Sequence, residues 1–190
     1  MMKVFKRFAD CSLENYKATT PEQKKLVSEL QKVVEHGLDG NILIIGSVGT
    51  GKTHLAYAIM NACAGRWKAN SGEEYYRGDK VYYTSIKEII DNIKASWKNG
   101  EMSDMDTYCK VPLLIIDEIG VQYGTDSERT ELYELFNRRY NDMLPIIAIS
   151  NHDQKALLRI LGQRIFDRLT GGASIFELSG KSYRQGGVNE

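Results

Sequence analysis

The stretch "GSVGTGKT", residues 46–53, follows an apolar run at residues 42–45 and opens onto a helical pattern running to about Ala64. It satisfies GxxxxGK[ST] at every fixed position. That order confines the fold. Glycines between a strand and a helix let backbone N–H groups converge on one concavity, which the positive end of the helix dipole also faces. A chain of phosphates is the ligand such a concavity accepts. Lys52 brings a point charge to the β and γ oxygens, and Thr53 offers a hydroxyl to Mg²⁺. Gly46, Ser47, Val48, Gly49, Thr50, Gly51, Lys52, Thr53 and His54 are therefore the candidate nucleotide-binding residues.

The rest of the chain supplies the elements that such a loop needs. Further apolar runs, "KVYY", "LLII", "PIIAI" and "SIFEL", are strand length and nearly continuous rather than alternating. Helical patterns separate them, which predicts a parallel sheet covered on both faces. Thr20, Pro21 and Gln23 form a helix start with a capping box, and Gly37 marks its end. Ile86, Ile89, Ile90, Ile93 and Trp97 recur at helical spacing. "AGRWKANSGEEYYRGD" reads as a loop, "TDSERTELYELFNRRYNDM" as a helix, and "ILGQRIFDRL" as one helical segment. No internal repeat stands out. Residues 1–40 are expected to form a lead-in segment and a helix, and residues 41–190 the nucleotide-binding domain.

Three polar positions at strand or helix ends complete a candidate catalytic set. "LLIIDE" ends in Asp117, placed to hold Mg²⁺ through water, and Glu118, placed to orient or deprotonate an attacking water. A second apolar strand ends at Asn151, a hydrogen-bond donor for that water or the γ-phosphate. Arg164 and Arg168 lie four apart on one helix face, with no evident internal need for two cations. One of them can reach a neighbour's γ-phosphate, or pair at the surface with Asp167 or Glu177.

Composition removes other classes. Lys+Arg 25 against Asp+Glu 25 leaves no net charge, so nucleic-acid contact must be a local patch. Cys11, Cys63 and Cys109 form no CxxC pair and no zinc set, as expected of thiols in a reducing cytoplasm. The N-terminus has no apolar signal region, and no run is long enough for a membrane span.

With these elements in order, the chain resembles the AAA+ ATPases. More narrowly, it is similar to bacterial replicative helicase loaders of the DnaC/DnaI type and the related IstB-like ATPases. "NILIIGSVGTGKTHLAYAI", "LLIIDEIGVQ", "ISN", "LGQRIFDRL" and "SYR" carry the likeness from about residue 40 to residue 184, with "SLENYK" ahead of them. The resemblance implies a P-loop core of five parallel strands flanked by helices. It makes Lys52 and Thr53 the Walker A pair, Asp117 and Glu118 the Walker B pair, Asn151 sensor 1 and Arg184 sensor 2. Arg164 and Arg168 fall where an arginine acts in trans. The sensor strand is expected between the two Walker strands. The implied ligands are ATP and Mg²⁺. The implied partners are a hexameric DnaB-type helicase, single-stranded DNA and further copies of this chain. Residues 86–110 match an insertion that contributes to DNA contact, with Trp97 and Tyr123 as candidate contacts. Two departures from the pattern are expected to matter. About 40 residues precede the loop, where loaders carry a helicase-gripping domain, and about 40 follow Asn151, too few for a lid. With the lid missing, the "SLENYK" segment and a neighbouring subunit are expected to wall the pocket.

Competing readings share the phosphate loop. An IstB-like transposase helper uses the same fold. A nucleotide kinase does not require Glu118 directly after Asp117, and an Arg-rich lid is missing. A GTPase needs an NKxD-like reader, which "SNHD" is not. An ATP-binding scaffold without turnover would keep the loop alone.

Overall fold

The computed structural model describes residues 6–70, 81–99, 105–121, 125–180 and Tyr183. After a 3-10 turn at Lys6–Phe8, helix α1 spans Pro21–His36. Its start is the capping box written in the sequence: the Gln23 N–H donates to Thr20 Oγ1 at 3.2 Å, and Gln23 Oε1 accepts from the Thr20 N–H at 3.2 Å. Gly37 ends it at φ 89°. Strand β1, Ile42–Gly46, leads into the glycine loop, and helix α2, Lys52–Asn70, leaves it. The helix thus continues well past Ala64. The alanine, arginine, tryptophan and lysine that follow all tolerate a helix, and the single Gly65 does not end it. Residues 71–80 of the expected loop lie outside the described residues.

Strand β2, Val81–Ser85, runs directly into α3, Ile86–Asn99. Ile86, Ile89, Ile90 and Ile93 are buried, as their spacing predicts. A short helix the sequence reading missed, α4 at Met105–Lys110, buries Met105, Tyr108 and Cys109. Then come β3, Leu113–Asp117; α5, Asp126–Asn141; β4, Ile146–Ser150; α6, Gln154–Leu161; α7, Gln163–Thr170; and β5, Ser174–Leu178. The expected single segment "ILGQRIFDRL" is therefore two helices. Gly162, at φ 79°, closes α6 and opens α7 in a conformation a helix interior does not allow.

The five strands form one sheet in the order β2-β3-β4-β1-β5, and every paired neighbour is parallel. The strands have two buried faces because their residues alternate between two cores. Leu43, Ile45, Leu114, Ile116 and Ala148 pack with α3, α4, α5, α6 and α7. Ile42, Ile44, Ile115, Ile147 and Ile149 pack with α1, α2 and the lead-in residues Cys11, Leu13 and Tyr16. The lead-in thus packs against the sheet as one wall of its core. Among the described residues, no helix is long and apolar enough to cross a membrane.

Candidate functional site

Parallel sheets collect loops at the C-terminal ends of their strands, and ligands bind where those ends open into a crevice. Here β4 lies between β1 and β3, so the glycine loop, Asp117 and Asn151 emerge side by side. They line one cavity of about 620 Å³, within the range of small-molecule sites. Lys52, Thr53, His54, Glu118 and Tyr183 line it too, with Phe8, Cys11 and Tyr16 on the lead-in side.

The loop has the shape of an anion cradle. Gly49 and Gly51 each stand at φ 87°, and Gly46 at φ 138°. A Cβ on Gly46 would lie 2.1 Å from the Leu178 carbonyl oxygen, so only glycine lets β1 leave beside β5. The Lys52 ammonium is buried and donates to the carbonyls of Gly46 at 2.8 Å and Ser47 at 2.7 Å. Thr50 Oγ1 donates to the Ser47 carbonyl at 3.0 Å. Gly46, Ser47 and Thr50 shape the cradle, while Val48, Gly49, Gly51, Lys52, Thr53 and His54 face the cavity.

Opposite the loop, the Thr53 hydroxyl donates to Asp117 Oδ2 at 2.8 Å. The Tyr83 hydroxyl, from β2, reaches the same oxygen at 3.1 Å. Oδ1 accepts the Glu118 N–H at 2.7 Å. Burial first, and then the Asp117 charge, push the Tyr83 phenol far above its usual range, so it stays a donor. A hydroxyl and a carboxylate at this spacing are hard oxygen donors of the kind Mg²⁺ takes, and that ion keeps most of its waters. The residues present therefore fit it. Glu118 is exposed to the cavity at φ 58°, a left-handed conformation rare outside glycine. Such strain is kept where the surroundings over-determine it. Here the neighbouring Ile119 N–H donates to the Ile149 carbonyl at 2.9 Å, and Ser150 Oγ donates to the Ile119 carbonyl. These bonds tie the loop after β3 to the end of β4, next to Asn151.

The lead-in wall is aromatic and well bonded. Tyr16 donates its hydroxyl to the Thr50 carbonyl at 2.9 Å and meets Tyr183 edge-on at 6.1 Å. The Tyr183 N–H donates to the Gly49 carbonyl at 2.9 Å, and its hydroxyl to the Lys17 carbonyl. Asn61 Nδ2 holds the carbonyls of Phe8, Ala9 and Cys11. His54 Nε2 lies 3.0 Å from the Ser12 carbonyl and must carry a hydrogen to bond it. In the neutral ring Nδ1 is then an acceptor for the Cys11 thiol at 3.4 Å. Burial, and secondarily Asp10, raise the pKa of that thiol. Phe8 stacks on Tyr57 at 4.6 Å, and Tyr57 packs on Tyr83 at 4.5 Å. "SLENYK" signalled part of this wall; Tyr83 and Phe8 carried no local signal.

The two arginines are not brought into this cavity. Arg164 is exposed on α7, with no ion-pair partner among the described residues. Arg168 differs from its expected pairing with Asp167 or Glu177. Its Nε donates to Asn137 at 3.2 Å and its guanidinium lies 4.6 Å from the Tyr140 ring, because α7 packs against α5 rather than presenting that face to solvent. Trp97's side chain, Tyr123 and Arg184 lie outside the described residues. Among the described residues no cluster of His, Cys, Asp and Glu could hold a metal ion by itself, and none of Cys11, Cys63 and Cys109 is in a disulfide.

A glycine cradle between a strand and a helix, opened beside a hydroxyl–carboxylate pair on a five-stranded parallel sheet, defines a P-loop nucleotide-binding protein, the class to which the AAA+ ATPases belong. Comparison narrows the class. The chain matches the family described as "IstB-like ATP binding protein" over residues 1–188, and it belongs to that family. It is 31% identical over 182 residues to the replicative helicase loader DnaC of Escherichia coli (strain K12), covering 92% of this chain and 69% of that protein. The DnaC loader of Buchnera aphidicola subsp. Schizaphis graminum is 27% identical over 185 residues, covering 94% of this chain and 71% of that one. Among solved structures, a DnaC helicase loader shares the fold at TM-score 0.78 and 20% identity, covering 92% of this chain and 100% of that chain. AMPPCP-bound DnaA from Aquifex aeolicus matches at TM-score 0.73 and 27% identity, over 89% of this chain and 49% of that chain.

Proposed function

We propose that this protein binds and hydrolyses ATP with Mg²⁺, and uses that cycle to load or remodel a hexameric DnaB-type helicase on single-stranded DNA in the cytoplasm. One observation carries the enzymatic part: the Thr53 hydroxyl and the Asp117 carboxylate meet at 2.8 Å in the cavity that Lys52, Glu118 and Asn151 also line. The triphosphate takes the N–H groups of the loop, and the Lys52 ammonium turns from the Gly46 and Ser47 carbonyls to the phosphate oxygens. Mg²⁺, when held by Thr53 and by Asp117 through water, supplies charge neutralisation at the transferring phosphoryl group. Glu118 orients and deprotonates the attacking water, and Asn151 hydrogen-bonds that water or the γ-phosphate. Tyr16, His54 and Tyr183 form the wall on the nucleoside side.

The replication role rests on the relatives' names, DnaC loaders among them. A DnaA structure bound to AMPPCP and single-stranded DNA supports the DNA partner. In this reading Arg164 completes a neighbouring copy's site, Arg168 stands behind it, and Arg184 senses nucleotide. Trp97 and Tyr123 are the DNA-contact candidates. Residues 1–40 serve as a lead-in to the ATPase domain at 41–190. The family description favours one second reading, an IstB-like helper of a transposase. Selective binding to a transposase instead of a hexameric helicase would establish it.

The test measures ATP turnover with and without single-stranded DNA, for the wild type and for a mixture of Lys52→Ala and Arg164→Ala proteins. The mixture should regain activity that neither variant shows alone, because each supplies what the other's site lacks. No recovery would remove the shared site. Glu118→Gln should retain ATP and lose hydrolysis; unchanged turnover would refute its role.

A further inference from the structure

Asp117 is buried, yet its carboxylate has more donors than the Walker pair supplies. A carboxylate offers roughly four acceptor positions. Thr53 takes one on Oδ2 at 2.8 Å, and the Glu118 N–H takes one on Oδ1 at 2.7 Å. The Tyr83 hydroxyl takes the other on Oδ2 at 3.1 Å. Among the described residues' bonds, one position, on Oδ1, stays open for a water carried by a cation. The Tyr83 ring is in turn fixed, packed 4.5 Å from the Tyr57 ring on β2's covered side.

We infer that Tyr83 is a positioning residue: by saturating Asp117 Oδ2, it forces the carboxylate to meet the metal's hydration shell through Oδ1 alone. The register explains why this residue can do it. Ser85 pairs with Asp117 across β2 and β3, so Tyr83, two residues earlier, points to the same sheet face as Asp117 and Ser85. Its long side chain then spans the remaining distance, where a serine or threonine at the same place would fall short. Without the phenol, Oδ2 gains a free acceptor. The carboxylate can then turn or take in an extra water, and the cation loses its single defined approach. This inference rests on the reading of Asp117 as the metal-holding carboxylate.

The experiment titrates Mg²⁺ into wild-type protein and Tyr83→Phe, following the binding of a fluorescent N-methylanthraniloyl ATP, and then measures turnover. Phenylalanine keeps the ring packing. Nucleotide affinity without metal should be the same in both proteins. The Mg²⁺ concentration for half-maximal tightening should rise about 3- to 10-fold in Tyr83→Phe, the scale of one lost hydrogen bond. kcat should fall while KM for ATP at saturating Mg²⁺ stays put. In an Asp117→Asn background, Tyr83→Phe should add nothing. A wild type whose nucleotide affinity ignores Mg²⁺ would sink the reading of Asp117. A normal wild-type response with an identical Tyr83→Phe curve would overturn the role of Tyr83, as would a full effect persisting in Asp117→Asn.

Discussion

Replacing Gly51 with alanine would put a methyl group against the ring of Tyr16. The Cβ would lie 2.5 Å from Cε2 and 3.4 Å from Cδ2. The ring cannot easily give way. Tyr16 is 8% exposed, its hydroxyl is bonded to the Thr50 carbonyl, and Tyr183 closes on it from the side. Two costs then add. Holding a non-glycine residue at φ 87° costs about 1–2 kcal/mol, and overpacking a filled site costs about 1–3 kcal/mol. The expected loss is about 2–5 kcal/mol, read from urea unfolding at unchanged m-value. A double-mutant cycle separates the two parts. Tyr16→Ala alone should cost about 3–5 kcal/mol, as large aromatic truncations do. Because it also removes the obstacle, the double variant should be about 1–3 kcal/mol more stable than the sum of the singles. The backbone part must survive in the double variant. Strict additivity would refute the contact between the lead-in and the loop, and would leave Gly51 a purely conformational requirement.

Arg139 is wholly buried and donates to the carbonyls of Tyr108 at 2.7 Å, Val111 at 2.8 Å and Pro145 at 2.7 Å. Arg139→Met should destabilise by about 3–5 kcal/mol, since three carbonyls lose a donor; a urea midpoint at or above wild type would show that the bonds only offset the burial of the charge. Asp106 accepts from Lys110 and Arg138, and these bonds, Lys110 first, hold its carboxyl below the usual range. A depressed folded pKa stabilises above the ordinary carboxylate value and loses that contribution as pH falls through the lower one. Asp106→Asn should therefore flatten the melting-temperature profile as pH falls through and below the ordinary carboxylate range, and an unchanged profile would count against the pairing.

Strands and loop were legible because their signals are local. A continuous apolar run, three glycines and a lysine say strand, cradle and helix whatever lies elsewhere, and Asp117 and Asn151 inherit their places from the strands that end at them. The expected position of β4 between β1 and β3 came from family resemblance, and the sheet has that order. What stayed hidden depends on contacts between distant residues. Helix α4 is too short for a periodic stripe, and it is held by Arg139 from α5. Gly162 could have been taken as a helix end, but the apolar spacing on both sides ran through it. Arg168 looked like a spare cation until α5 supplied Asn137 and Tyr140. Tyr83 sits in a strand as any tyrosine does, and only the register with β3 brings it to Asp117.

Asn61 grips three carbonyls of the segment that also contributes Phe8, Cys11 and Tyr16 to the cavity beside the glycine loop. A protein that took hold of that segment, or pulled on it, would be handling part of the proposed ATP site. By thermodynamic reciprocity, however much ATP tightened or loosened such a grip, the gripping partner would change the affinity for ATP by the same factor.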